Sequence, residues 1–397
     1  MWQRIKNIYH LVNAFLANVW FGFPSRNLNV IGVTGTDGKT TTTSLIYHIL
    51  HASGYNASMI SSVGAIIGGR DYDVGFHVTT PSPWALQRFI KKAVDVGSKY
   101  LVLETTSHAL DQHRVWGIKF DVGVLTNVTH EHLDYHKTYE NYVEAKAKLL
   151  KIARVAIVNR DDESFNLISN LKFLISKLVT FGMTKKADVS PKTFLFKTNL
   201  IGQFNKYNVL AGIAACVSLG IEGNKIRKAI LAFKPPIGRE DIVYKNSFTV
   251  MIDFAHTPNA FEQILNSVRP NMKGRLIHVF GSAGLRDATK RPLMGEVSSK
   301  YADIIILTSE DPRSESVEEI MDNIESGIKN HELGINLFRI TDRKEAIESA
   351  IEMAGRGDMV LITGKSHEKS MNYGEGEIPW DEYGAVRNAL KLRKINI

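Results

Sequence analysis

The stretch VIGVTGTDGKTTTTSLI, residues 30–46, constrains the fold more than any other. An apolar β-rich run passes through a glycine turn into a helix-forming threonine run, so a strand must deliver its carboxyl end to a helix amino terminus. Such a junction belongs to a parallel sheet, where backbone N–H groups of the turn can gather around a phosphate. A standard phosphate loop has four residues between its first glycine and the Gly-Lys pair. Counting back from Gly38 reaches Val33, so what fits is a shorter loop, Gly35-Thr36-Asp37-Gly38-Lys39-Thr40, with Thr41 continuing the helix. Lys39 offers a point charge to the outer phosphates, and the Thr40 hydroxyl can ligate Mg²⁺. Asp37 is the anomaly, an acid where polyphosphate should lie. An Asx side chain can brace such a loop by hydrogen-bonding its own backbone.

Short apolar runs alternate with helical patterns along most of the chain. Strands are expected at 29–33, 100–103, 122–125 and 155–158, and again at 249–252, 276–280, 304–307 and 359–362. Strands separated by helices imply βαβ units and parallel sheets. With 397 residues the chain exceeds one ordinary core. The paired prolines of 233–238 (FKPPIG) make the best linker. The expected fold class is α/β: a P-loop-type, mostly parallel central domain over 28–234, then a Rossmann-like α/β domain over 235–397.

The net charge of +8 suits anionic ligands, but it is spread along the chain. There is no arginine-rich arm, zinc-finger spacing or aromatic RNA-binding signature, which argues against nucleic acid. The one cysteine, Cys216, lies in an apolar run (AGIAACVSLG), which excludes a disulfide framework and a cysteine-based zinc site. It reads as a buried small hydrophobe in a reducing, hence cytoplasmic, compartment. Residues 1–27 form an amphipathic helical segment, too interrupted by Gln3, Asn7, His10, Asn13 and Asn18 to span a bilayer. Two readings stand for it: a helix packed on the main domain, or an interfacial helix whose Trp2, Trp20, Phe21 and Phe23 rest peripherally on a membrane.

The short loop and threonine run resemble the Mur ligase superfamily, which includes folylpolyglutamate synthetase. Further pieces are similar to its MurE branch: TTPSP (79–83), LETTSHALDQHR (103–114), TNVTHEHLDYH (126–136), EAKAKLL (144–150), FNKYN (204–208), IGRED (237–241), DFAHTPNA (253–260), GSAGLRDATKRPLMG (281–295), EDPR (310–313) and GKSHE (364–368). The resemblance implies that ATP phosphorylates a muramoyl-peptide carboxylate and that a diamino acid, meso-diaminopimelate or L-lysine, attacks the acyl phosphate. Products would be an amide, ADP and phosphate, with two Mg²⁺ ions assisting. It implies Lys39, Glu104, His132 and Lys146 as catalytic residues. Thr40 and Glu104 would hold one Mg²⁺, and His132 and Lys146 the second, Lys146 as a carbamate (N6-carboxylysine).

From the residues alone, His130, His132 and His136 suggest a transition metal instead. The resemblance assigns Thr79, Thr80, Ser107, His108, Gln112 and Arg114 to the acceptor, and Asn208, Arg239, Asp253 and His256 to the nucleotide. Arg286, Asp311, Arg313, Gly364 and Glu368 would hold the amino acid. Three positions depart from the pattern: Asp311 replaces an asparagine, Ser366 a glycine and Leu285 an acid. An added charge at Asp311 is unfavourable beside a substrate carboxylate, which keeps lysine open. Full-length MurE enzymes hold the uridine nucleotide in an N-terminal domain, which the roughly 28 residues before the first strand are too few to form. The acceptor is therefore open between UDP-linked, lipid-linked and other carriers. The alternatives are another Mur-type amide ligase, folylpolyglutamate-like or amidating, and a catalytically idle nucleotide-binding scaffold. A monomer is expected.

Overall fold

The computed structural model describes residues 2–75, 79–129, 131–170 and 175–395. Packing divides the chain into two units. The first takes 2–129, 136–200 and 204–234; the second takes 131–135, 201–203 and 235–395.

The first unit is built on eight strands: β1 (Asn29–Thr34), β2 (Ala57–Ser61), β3 (Gly64–Ile67), β4 (Arg70–Tyr72), β5 (Tyr100–Glu104), β6 (Phe120–Leu125), β7 (Val155–Asn159) and β8 (Leu178–Phe181). Their order is β4-β3-β2-β5-β1-β6-β7-β8. All neighbours run parallel except the two pairs at the β3–β4 edge. Alternation along the central strands sends Ile31, Val33 and Val102 to one face, where Ile46, Ile49 and Ile213 of the helices Lys39–Ala52 and Gln203–Ser218 cover them. Val30, Leu101 and Leu103 face the other way, against Leu86, Ile90 and Leu149. Both faces are thus dry, which is why these strands read as continuous apolar runs. Cys216 is fully buried on the first face, and burial pushes its thiol pKa up.

The second unit holds β9 (Asp241–Lys245), β10 (Thr249–Asp253), β11 (Leu276–Phe280), β12 (Ile304–Leu307), β13 (Leu337–Arg339) and β14 (Met359–Thr363), in the order β13-β12-β11-β14-β10-β9. Within this six-stranded sheet β9 is the antiparallel member among the described residues, and Ser370–Asn372 and Glu377–Pro379 form a separate antiparallel pair. The α/β class with two mostly parallel sheets is as expected, and all eight expected strands are present. Most of the additional strands are edge or short segments, such as the exposed Arg70–Tyr72, but β2 is a fully buried inner strand whose small and polar residues (ASMIS) hide it from an apolar-run reading.

Beneath the carboxyl ends of β12 and β14 lies a fully buried ion pair. Arg343 donates through Nε to Glu382 Oε2 at 2.9 Å, and its Nη2 bonds Glu382 Oε1. The same guanidinium donates to the carbonyls of Ser309 (3.2 Å) and Thr363 (2.8 Å), just before the two loops that matter below. Removing one partner leaves the other charge stranded in a dry interior. Arg343→Met should therefore destabilise the second unit by about 3–5 kcal/mol. Trp380, whose Nε1 donates to Glu382 Oε2 at 2.8 Å, should report this in fluorescence-monitored urea melts, and adding Glu382→Leu should recover part of the loss.

Candidate active site

The loop after β1 is shaped by glycine. Gly38 has φ +77, and a Cβ there would fall 2.1 Å from Asn208 Oδ1, so no other residue fits without displacement. The facing loop after β6 holds its main chain. Asp37 N donates to Asn127 Oδ1 (2.9 Å), while Asp37 O accepts from Thr126 Oγ1 (2.7 Å) and Asn127 Nδ2 (3.1 Å). The Asp37 carboxylate accepts from Thr129 Oγ1 at 3.3 Å. Thr129 thus meets this carboxylate from across the site.

Lys39 donates to Thr36 O at 2.7 Å, and Thr41 is buried in the first helical turn. Thr40 Oγ1 donates to Glu104 Oε1 (3.2 Å) and lies 3.0 Å from Ser62 Oγ; Ser62 N donates to Glu104 Oε2 (3.0 Å). Two hydroxyls and one carboxylate, all at the ends of elements, are the hard oxygen donors that suit Mg²⁺. Lys146 is buried, donates to Gly35 O at 2.6 Å and stands 4.3 Å over the Tyr142 ring. Lys148 on the same helix is paired with Asp111 at 2.7 Å. Asn208 accepts from Thr42 Oγ1 (3.4 Å) and donates to Asn205 (3.0 Å), lying against the loop itself.

A second cluster gathers where β5 ends. Thr80 Oγ1 donates to Glu104 O (3.2 Å) and accepts from Thr106 N (3.1 Å). Arg114 donates to Gln112 Oε1 (2.9 Å) and Thr80 O (3.3 Å). Ser107 Oγ lies 3.0 Å from His136 Nε2, and the His108 and His136 rings meet edge-on at 5.5 Å. Burial, then the neighbouring His108 and Lys146, push His136 down to about 4, so it is neutral near pH 7. Thr79 is half-buried beside Thr80, next to residues 76–78, which are not described.

In the second unit, His132 has φ +56 and its Nε2 is 3.7 Å from Glu131 Oε2. Glu131 is buried 3.4 Å from His256 and 3.9 Å from Lys290, whose Nζ donates to His256 O at 2.8 Å. Burial opposes the Glu131 charge, yet His132, His256 and Lys290 together hold its carboxyl well below the usual range. Burial also pulls His256 down, and the Glu131 carboxylate more than offsets it. Asp253 spends both oxygens on backbone N–H groups, those of Glu240 (2.8 Å) and Ala255 (2.7 Å). Arg239 donates to Gly238 O at 3.1 Å and stacks 4.4 Å from the Phe254 ring centre.

Further along, Lys365 is fully buried and donates to both Asp311 oxygens (2.9 and 3.0 Å) and to Glu368 Oε2 (2.7 Å). The charge that the sequence adds at Asp311 is therefore met by a buried ammonium. Arg313 donates to Gly284 O, and its guanidinium is pushed down by burial and by exposed Arg286. Glu310 is buried, its Oε2 has no hydrogen-bond partner among the described residues, and burial pushes its carboxyl up to about 7. Gly364, at φ +104, leaves no space for a Cβ, which would sit 2.1 Å from that oxygen. Leu285, Asp311, Arg313 and Ser366 all adopt positive φ, a strain that collects around functional loops. Among the described residues no three His, Cys, Asp or Glu side chains converge as a metal site, and His130 of the transition-metal reading lies outside them.

The Mur ligase middle domain matches residues 33–216, and the Mur ligase glutamate ligase domain matches 238–366. A UDP-N-acetylmuramoyl-L-alanyl-D-glutamate–2,6-diaminopimelate ligase of Aquifex aeolicus is 40% identical over 394 residues, covering 94% of this chain and 80% of that protein. The chain belongs to the Mur ligase family. A relative of the same description from Clostridium acetobutylicum is 39% identical over 93% of the chain and 79% of its own length. A solved structure of that ligase matches with a TM-score of 0.60 at 29% identity, covering 93% of this chain and 79% of that one. E. coli FolC shares the fold, with a TM-score of 0.73 at 19% identity over 97% and 93%.

As a Mur ligase, the protein forms carbon–nitrogen bonds, in a family that works with ATP and Mg²⁺. Sequence reasoning missed Ser62, Glu131, Lys290, Glu310 and Lys365. Glu131, Lys290, Glu310 and Lys365 lie inside motifs already quoted, but their burial and their partners depend on segments far apart in the chain. Ser62 lies in none of those motifs, and its place beside Thr40 comes from the pairing of β2 with β5. Gly38→Ala should force a left-handed residue against Asn208 and weaken nucleotide binding at least about tenfold by calorimetry, with the fold retained by circular dichroism.

Proposed function

We propose that this Mur ligase is of the MurE type: it activates the carboxylate of a muramoyl dipeptide as an acyl phosphate and joins it to meso-diaminopimelate. The observation that carries this reading is the 40% identity to a diaminopimelate ligase across 94% of the chain. The choice of diaminopimelate is supported by the Arg286–Arg313 neighbourhood, which suits a distal carboxylate. It is supported too by Lys365, which bonds Asp311 and offsets part of the charge that the acid adds.

In this reading 28–234 is the ATP-binding domain, 235–397 the amino-acid domain, and the reaction is cytoplasmic. Lys39 and the loop N–H groups bind the outer phosphates. Thr40 and Glu104 would hold one Mg²⁺, and His132 with carbamylated Lys146 a second. The ions would neutralise phosphate charge, while positioning does the rest. Thr79, Thr80, Ser107, His108, Gln112 and Arg114 orient the acceptor. Asn208, Arg239, Asp253 and His256 serve the nucleotide, Asp253 by bracing its loop. Glu368 and Gly364 line the amino-acid side with Asp311.

Phosphate release from ATP tests this, with UDP-MurNAc-L-Ala-D-Glu as acceptor and meso-diaminopimelate, L-lysine, L-ornithine or no amino acid. Release should require the acceptor and diaminopimelate together and give a product of matching mass. Dependence on lysine would overturn the amino-acid choice. ATP binding without release in any mixture would favour a scaffold, or an acceptor on another carrier. Lys39→Ala should abolish turnover; Arg313→Ala should raise KM for diaminopimelate at least about tenfold with ATP affinity unchanged.

A further inference from the structure

The helix Trp2–Trp20 is inside out. Its inner side meets the first unit through the buried Ala14 and Ala17 and through amides. Asn18 donates to Ala14 O and Trp116 O, both at 2.8 Å; Asn7 donates to Asp111 O at 3.2 Å; Trp84 Nε1 donates to Asn13 Oδ1 at 3.1 Å. The outer side carries Ile5, Ile8, Val12, Leu16, Val19 and Trp20, which are 48–76% exposed. At 3.6 residues per turn, these six and the flanking Tyr9 and Phe15 share one arc of about 140°. A helix on a water-soluble surface shows the reverse pattern, and an apolar patch of this size marks something that covers it. The side chains of Trp2 and Arg4 lie outside the described ones.

Charge selects the cover. No acid precedes Asp37 in the chain, whereas Lys6 and Arg26 are exposed at the two ends of this segment. Exposed Lys119 joins them, its backbone N donating to Ser25 Oγ at 3.3 Å in the turn Pro24–Asn27 that follows the helix. Asp111, the acid that the helix does meet, is paired with Lys148. A second copy would set two positive rims against each other, while an anionic lipid surface complements both the rim and the apolar arc. Exposed tryptophan and tyrosine suit the headgroup boundary. Among the described residues no helix is long and apolar enough to cross a membrane.

We propose that the outer face of Trp2–Trp20 is an interfacial anchor that lies flat on an anionic bilayer. The proposal stands independently of the ligase chemistry. Flotation of the full chain with phosphatidylcholine vesicles, with and without about 30% phosphatidylglycerol, tests it. Binding to the anionic vesicles should be at least about tenfold stronger than to neutral ones and should weaken at about 0.5 M salt. Ile8→Glu with Leu16→Glu should abolish it, leaving the thermal melt and ATP-dependent phosphate release unchanged. Lys6→Glu with Arg26→Glu should remove the preference for anionic lipid. No flotation by the wild-type chain would overturn the proposal, as would equal binding to both vesicle types. Light scattering that shows a dimer abolished by the Ile8 and Leu16 changes, without flotation, would assign the face to a second copy instead.

Discussion

The carboxyl edge of a parallel strand releases backbone groups that the sheet no longer pairs, and everything chemical in this chain depends on how they are satisfied. In the first unit Thr126 and Asn127 do it, by bonding the main chain of Asp37 from a neighbouring strand's loop. In the second, Arg343 does it, by bonding the carbonyls of Ser309 and Thr363. Both devices convert loose strand ends into fixed platforms. The side chains for phosphate, metal or amino acid project from these platforms, so their precision is inherited from groups that touch no substrate.

The parallel sheets were legible because strands buried on both faces must be apolar throughout, as in YLVLE, LIHVF and IIIL. Edge strands such as Arg70–Tyr72 carry no such pressure and left no trace. The phosphate loop was legible because φ at Gly38 and the contact with Asn208 admit only glycine. Partners supplied from distant segments were not. Nothing in the order of residues says that Ser62 will stand 3.0 Å from Thr40, or that Lys365 will sit between Asp311 and Glu368.

Asp311 shows how a local reading of charge can mislead. Taken alone, an acid near a carboxylate subsite argues against a diacid substrate. The buried Lys365 changes that arithmetic, since one ammonium serves two carboxylates and Arg286 and Arg313 lie close by. The charge of a site is the property of its whole constellation. A single substitution moves specificity only where its neighbours leave it uncompensated.

Cys216 carries a further consequence. It is the chain's one cysteine, fully buried against the sheet, with a thiol that burial keeps protonated. Peroxide and disulfide exchange act on exposed thiolates, and this protein presents none. A cell under oxidative stress can lose many enzymes through their thiols, and that route of inactivation is closed here by the packing around one side chain.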